Sequence, residues 1–195
     1  MHSQPLILAS QSPRRSDLLA LMGYDFKVVV ADVDESAMPS ERPQNLVLRL
    51  SQLKAQTVAK HLSFGMSSDY VVLAADTIVV TGDQILGKPA NFQDFQSMMQ
   101  ALSGSTHTVM TAITVVNTHT TKSRLVCTDV AFCRLDDADI QRYWQTGEPQ
   151  DKAGGYGIQA NGGQFVSAIK GSYSGVVGLP MVETKELLAE FGVGQ

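Results

Sequence analysis

Arg14 and Arg15 are the first residues whose placement suggests chemistry. They follow a short apolar run, residues 6–9, and the pair Ser12-Pro13. Pro13 suits the first position of a helix, where its missing N–H costs nothing. Ser12 suits the N-cap, its hydroxyl accepting from a free backbone N–H of the first turn. Both guanidiniums then fall in the first turn, where the helix dipole disfavours a cation by a few tenths to about 1 kcal/mol. The same place offers free N–H groups to an anion, and guanidiniums grip phosphate oxygens in pairs. Two readings stay open from these residues alone: a site for a polyphosphate, or two solvated arginines at an exposed helix end.

Carboxylates supply the complementary chemistry. Asp76 closes residues 70–75, the most strongly apolar run of the chain. The end of a buried strand is the usual place for a ligand or base in an open α/β sheet. A buried carboxylate without a partner is costly, which favours a functional reading for Asp76. Asp32, Asp34 and Glu35 follow a second apolar run, residues 26–30, where oxygen ligands can hold a hard cation; Asp32 itself reads as a solvated turn. Lys54 falls inside the apolar sector formed by Leu46, Val47, Leu50, Leu53, Thr57 and Val58. Its ammonium needs water, reached by snorkelling, or a buried anion. Lys88 follows a hairpin and is expected near the strand end that bears Asp76, with an ordinary loop lysine as the alternative. Gln159 sits among glycines, and its amide donates and accepts at once. Cations for phosphate oxygens, with carboxylates for a divalent metal and for activating water, make the equipment of phosphoanhydride hydrolysis. The sequence has neither the G-x-x-x-x-G-K-[ST] loop nor an H-E-x-x-H helix.

The elements that must position these groups read in order. Residues 6–9 form a short buried strand. The helix opened by Pro13 buries Leu18, Leu19 and Met22 and stops at Gly23. Residues 26–30 form a second strand, residues 38–44 a mobile loop, and a long helix begins near Pro43, with His61 at its end. Residues 70–75 and 78–80 form a central strand, turned at 81–84 into a hairpin. Asn91 caps a helix stopped by Gly104, whose Phe92, Phe95, Met98, Met99 and Leu102 form core. Residues 106–116 and 125–135 pair as antiparallel strands across a polar turn at 117–123. Asp136, Asp137 and Asp139 open a helix at its positive end, with Ile140, Tyr143 and Trp144 buried. Eight of the 16 glycines lie between Gly154 and Gly178. That density favours a binding loop, where backbone approaches a ligand closely, over a turn-rich β segment. Pro180 starts a last helix with Val182, Leu187, Leu188 and Phe191 as apolar positions.

At 195 residues, 44% of them hydrophobic, the chain holds one large domain or two small lobes. Its net charge of -4 argues against a broad nucleic-acid surface. No stretch approaches the roughly 20 apolar residues of a membrane span, and the N-terminal run is not a signal peptide. Cys127 and Cys133 lie about 20 Å apart if they share one strand, too far for a disulfide. A reducing cytoplasm is the expected compartment.

An ordered set of motifs resembles the Maf family of nucleoside triphosphate pyrophosphatases. The matches are Leu8-Ala9-Ser10-Gln11-Ser12-Pro13-Arg14-Arg15, Asp34-Glu35, Leu53-Lys54-Ala55, Ala74-Ala75-Asp76-Thr77 and Gly87-Lys88-Pro89. Further along come Leu102-Ser103-Gly104-Ser105-Thr106-His107, Lys152-Ala153-Gly154-Gly155-Tyr156-Gly157-Ile158-Gln159 and Val177-Gly178-Leu179-Pro180. The resemblance covers nearly the whole chain as one domain, residues 1–195. It implies an α/β fold similar to inosine triphosphate pyrophosphatases: a long mixed twisted sheet flanked by helices, two lobes and a central cleft, usually in a homodimer. It also implies cleavage between the α- and β-phosphates with Mg²⁺ or Mn²⁺. By matching positions, Asp76 is the proton acceptor, and Arg14, Thr77 and Gln159 are the specificity positions. Ser10, Arg15, Lys54 and Lys88 serve the phosphates, and Glu35 joins Asp76 at the metal. The combination of Arg14, Thr77 and Gln159 resembles the dTTP/UTP subgroup. The rival reading is a nucleotide-binding regulator of septum formation with little catalysis. Asp76 speaks against it, since a pure binder gains little from a carboxylate facing phosphate oxygens.

Overall fold

The computed structural model of the chain describes residues 4–63 and 70–195. Among them seven strands form one mixed sheet: β1 (Leu6–Leu8), β2 (Phe26–Val28), β3 (Val71–Thr81), β4 (Gln84–Leu86), β5 (Thr106–Val116), β6 (Thr121–Phe132) and β7 (Val166–Lys170). The order is β2-β1-β3-β5-β6-β7, with β4 paired to β3. β1 runs parallel to both β2 and β3, while β4 is antiparallel to β3 and β7 to β6. The helices are α1 (Pro13–Leu21), α2 (Pro43–Ser63), α3 (Phe92–Leu102), α4 (Asp137–Gln145), α5 (Tyr173–Val177) and α6 (Met181–Glu190). None among the described residues is long and apolar enough to cross a membrane.

The chain divides into two compact units. The first comprises Met1–Asp76, Thr111–Val126 and Gly178–Gln195, and the second Thr77–Met110 and Cys127–Val177. Each has its own buried cluster. In the first, Ile7 and Ala9 pack with Val72 and Ala74 of β3, Ala55 and Val58 of α2, and Tyr70. In the second, Phe95, Met99 and Leu102 of α3 pack with Val79, Phe132, Tyr143, Tyr156 and Phe165. Within the first unit, the parallel pairing of Leu8 with Val28 and with Leu73 sets the ends of β1 and β2 beside β3, which continues past them. Extending that register places Ser10 level with Ala75, one residue before Asp76.

Several local expectations need correction. Ser12 occupies the N-cap of α1 but its hydroxyl caps nothing; the Ser12 N–H instead donates to Ser10 Oγ at 3.1 Å. β2 ends at Val28 rather than Val30. The β5–β6 turn is tighter than its polar run suggests, closing with Asn117 N–H to Thr120 O at 3.1 Å, so Thr121–Ser123 are strand. Val182 is 66% exposed and adds nothing to the core. The glycine-rich segment and the residues just before it hold three 3₁₀ turns, a strand and the short α5. Other expectations hold: Asn91 caps α3 through Asp94 N, Asp136 and Asp139 form a reciprocal capping box on α4, and both cysteines are free.

Candidate active site

Lys54 is 9% exposed and Asp76 6%. A helix carrying Lys54 toward the sheet and the middle of β3 bring the two charges together; Asp76 does not close its strand, which runs on unbroken to Thr81. Lys54 Nζ donates to Asp76 Oδ1 at 2.6 Å. The same nitrogen lies 2.7 Å from Glu35 Oε1, a side chain that is half exposed. Lys54 therefore does not snorkel; it answers a buried anion. Two charges taken from water this far need excellent pairing to hold, which the short contact supplies. Burial pushes the Asp76 carboxyl above the usual carboxylate range, and the charges of Lys54 and Arg15 restrain that rise.

Arg15 turns back from the first turn of α1. Its Nε donates to Gly178 O at 2.9 Å, and its Nη1 to Ser10 Oγ at 3.2 Å. Burial lowers the guanidinium's pKa and the Asp76 carboxylate opposes that. The residue keeps some solvent contact, so its enclosure is greatest at the head group. Arg14 is close enough to Arg15 to repel it. The first unit thus gathers Ser10, Arg14, Arg15, Glu35, Lys54 and Asp76 about the end of β1 and the middle of β3.

Glu35 lies on the loop between β2 and α2, and that loop is tied down. Arg49 of α2 clasps Glu41 through Nε and Nη2, both at 2.7 Å, and donates from Nη2 to Ser36 O at 3.0 Å. Met38 N–H adds a bond to Glu41 Oε2 and Ser36 N–H one to Asp34 Oδ1. The Arg49 bonds hold the Glu41 carboxyl down to about 2. Residues 38–44 are expected from the sequence to be a mobile loop. The bidentate pair shows a held loop instead, and only a sequence offset of eight across the helix start hinted at it.

The remaining expected residues belong to the second unit. Thr77 follows Asp76 directly on β3 and is half buried. Lys88 is exposed just beyond β4. Gln159 is exposed at the apex of a turn between Tyr156 and the 3₁₀ turn Asn161–Phe165. Gly154, at φ +68°, fits against Val79 of β3, where a Cβ would come within 2.9 Å. Its N–H donates to Gly87 O at 2.9 Å, which ties the glycine-rich segment to the stretch bearing Lys88.

Glu35 and Asp76 aim one oxygen each at a single point, now filled by the Lys54 ammonium. Among the described residues no group of three or more His, Cys, Asp or Glu converges. Two hard carboxylates completed by water and substrate phosphate are the usual provision for Mg²⁺. The residues fit that pattern in type and number.

The chain matches the Maf-like protein family over residues 5–191. It is 50% identical to a dTTP/UTP pyrophosphatase of Pseudoalteromonas atlantica over 96% of this chain and 97% of that one. It is also 50% identical to one of Vibrio parahaemolyticus over 97% and 98%. Among solved structures, the Staphylococcus aureus Ham1 protein shares 14% identity, with a TM-score of 0.45 over 66% of this chain and 71% of that one.

Proposed function

This chain belongs to the Maf-like protein family, and from that premise we propose that it hydrolyses dTTP and UTP to the nucleoside monophosphate and pyrophosphate. The observation that carries the reading is the buried Asp76 carboxylate, held 2.6 Å from Lys54 at the middle of β3. Asp76 accepts a proton from the attacking water as the α–β phosphoanhydride bond breaks. Its desolvation makes it a better base than a surface aspartate. Lys54 and Arg15 offset the negative charge that grows on the phosphate oxygens, with Ser10 and Lys88 as further phosphate contacts. Glu35 and Asp76 would hold Mg²⁺ or Mn²⁺, which supplies Lewis-acid polarisation of the phosphate when bound.

Base choice is assigned to Gln159, with Arg14 and Thr77. The Gln159 amide offers a donor and an acceptor. Uracil and thymine present O4 as acceptor beside N3–H as donor, so one amide satisfies both. Cytosine reverses the pattern, and an amide held in place then leaves polar groups unpaired at about 1–3 kcal/mol. UTP and dTTP are therefore preferred over CTP by roughly ten-fold or more. The homodimer rests on the resemblance, and the cytoplasmic location on the two unpaired cysteines.

The test is Asp76→Asn, which keeps the shape and removes the basicity. Its kcat for UTP falls by about 10²- to 10⁴-fold while the thermal transition persists. Near-normal turnover by the folded variant overturns the assignment of Asp76 as base.

A further inference from the structure

The turn that presents Gln159 is closed at both feet by one carboxylate and one phenol. Tyr143 lies on α4 with its ring buried against Phe95 and Phe165, and α4 is followed by the 3₁₀ turn that begins at Glu148. Glu148 Oε1 accepts from Tyr143 Oη at 2.8 Å and from Gly162 N–H at 3.3 Å. Its Oε2 accepts from Asn161 N–H at 2.9 Å. Tyr143 Oη in turn accepts from Gly157 N–H at 3.1 Å. Lys152 Nζ reaches Glu148 O at 2.7 Å, steadying the same corner. Residue 157 enters the turn, residues 161 and 162 leave it, and Gln159 stands exposed between them.

The fit leaves no slack. A Cβ at Gly162 would lie 2.5 Å from Tyr143 Oη and within 3 Å of the Gly157 backbone. The two feet therefore touch each other as well as the clamp. Burial pushes the Tyr143 phenol well above its ordinary range, so it remains a donor. Burial also raises Glu148, but the bonds from Tyr143, Gly162 and Asn161 outweigh it and leave the carboxyl below its ordinary range. Both partners keep these states at neutral pH. Three of the four clamp bonds end on turn backbone rather than on core side chains. A brace for α4 alone would not need them.

We propose that Glu148 and Tyr143 are positioning residues that set base preference by fixing the turn that carries Gln159. The proposal rests on the reading that Gln159 meets the base. A fixed backbone holds the amide in register with the O4 and N3–H edge of uracil, so loosening it costs contacts that UTP uses and CTP does not. Discrimination then comes from the clamp as much as from the amide.

Steady-state hydrolysis of UTP and CTP by Glu148→Gln, Tyr143→Phe and Gln159→Ala tests this, with thermal melts alongside. Each variant lowers the UTP:CTP ratio of kcat/KM at least five-fold, mainly through UTP, while CTP stays within two-fold. Adding Glu148→Gln to Gln159→Ala lowers the ratio no further. Glu148→Gln preserves volume and serves if Tyr143→Phe does not fold. The proposal is overturned if the clamp variants keep the ratio while Gln159→Ala loses it. Loss of UTP and CTP hydrolysis in equal measure, tracking the melting point, overturns it too, since that marks a brace and no more. A parent protein without discrimination, unchanged by Gln159→Ala, shows instead that Gln159 does not read the base, and the clamp proposal falls with it.

Discussion

At the scale of residues, Lys54 serves two purposes that mutation can separate. It neutralises a carboxylate that would otherwise be buried at high cost, and under the proposed function it offers a cation to phosphate. Lys54→Met leaves Asp76 with less compensation, a loss of up to about 3–5 kcal/mol, moderated because Asp76 can take up a proton. Adding Asp76→Asn removes the stranded charge, so the double variant regains most of that stability while kcat/KM for UTP stays at least roughly 10²-fold down. Urea melts and steady-state assays of the three variants check this. A double variant no more stable than Lys54→Met removes the pair as the source of the coupling, and full activity in Lys54→Met reduces Lys54 to a counter-ion. The inward direction of Lys54 was legible from spacing along one helix. Its partners were not, because 22 residues separate it from Asp76 and only the strand order unites them. Ser12 misled for a similar reason: Ser10 Oγ accepts the Ser12 N–H and also the Arg15 guanidinium, a role invisible without the turn's geometry.

At the scale of elements, patterned segments were readable and the glycine-rich one was not. The helical periods of α2 and α3 and the β-branched run of β5 carry repeating burial signals. Between Asp151 and Pro180 turns replace periodicity, so β7 and the 3₁₀ turns had no signature beyond glycine density. That segment is tied to β5 by His107, whose Nε2 lies 2.8 Å from Tyr156 Oη. The His107 ring is 2% exposed, packed edge-on against Phe132 and Tyr156, and its Nδ1 has no partner among the described residues. Burial drops its pKa to about 4 from the ordinary 6.5. A folded pKa below the unfolded one means the stabilising neutral form is fully effective above about pH 6.5 and its advantage is lost as pH falls toward 4. The integrated loss is about 3 kcal/mol. Urea unfolding at pH 7 and pH 4 checks it against His107→Gln, which does not titrate. The parent loses about 3 kcal/mol more than the variant over that interval. Equal losses in both proteins contradict a neutral buried His107.

At the scale of the molecule, two cores form in two compact units from segments that interleave along the chain. A reader of the sequence sees the alternation of strands and helices and a mixed α/β sheet. The division itself is hidden, because β3, β5 and β6 each contribute residues to both units. The change of unit between Asp76 and Thr77 falls within one unbroken strand, which no turn or composition shift marks. The first unit carries Ser10, Arg15, Glu35, Lys54 and Asp76, assigned to phosphate cleavage, and the second carries Lys88, Gln159 and its clamp. The central claim is the bond that is broken, and the products report it directly. Purified protein is incubated with UTP and Mg²⁺ or Mn²⁺, and the products are resolved by ³¹P NMR. The account predicts UMP and pyrophosphate in equal amounts from the start of the reaction; UDP and inorganic phosphate, or UTP left intact with both metals, contradicts it.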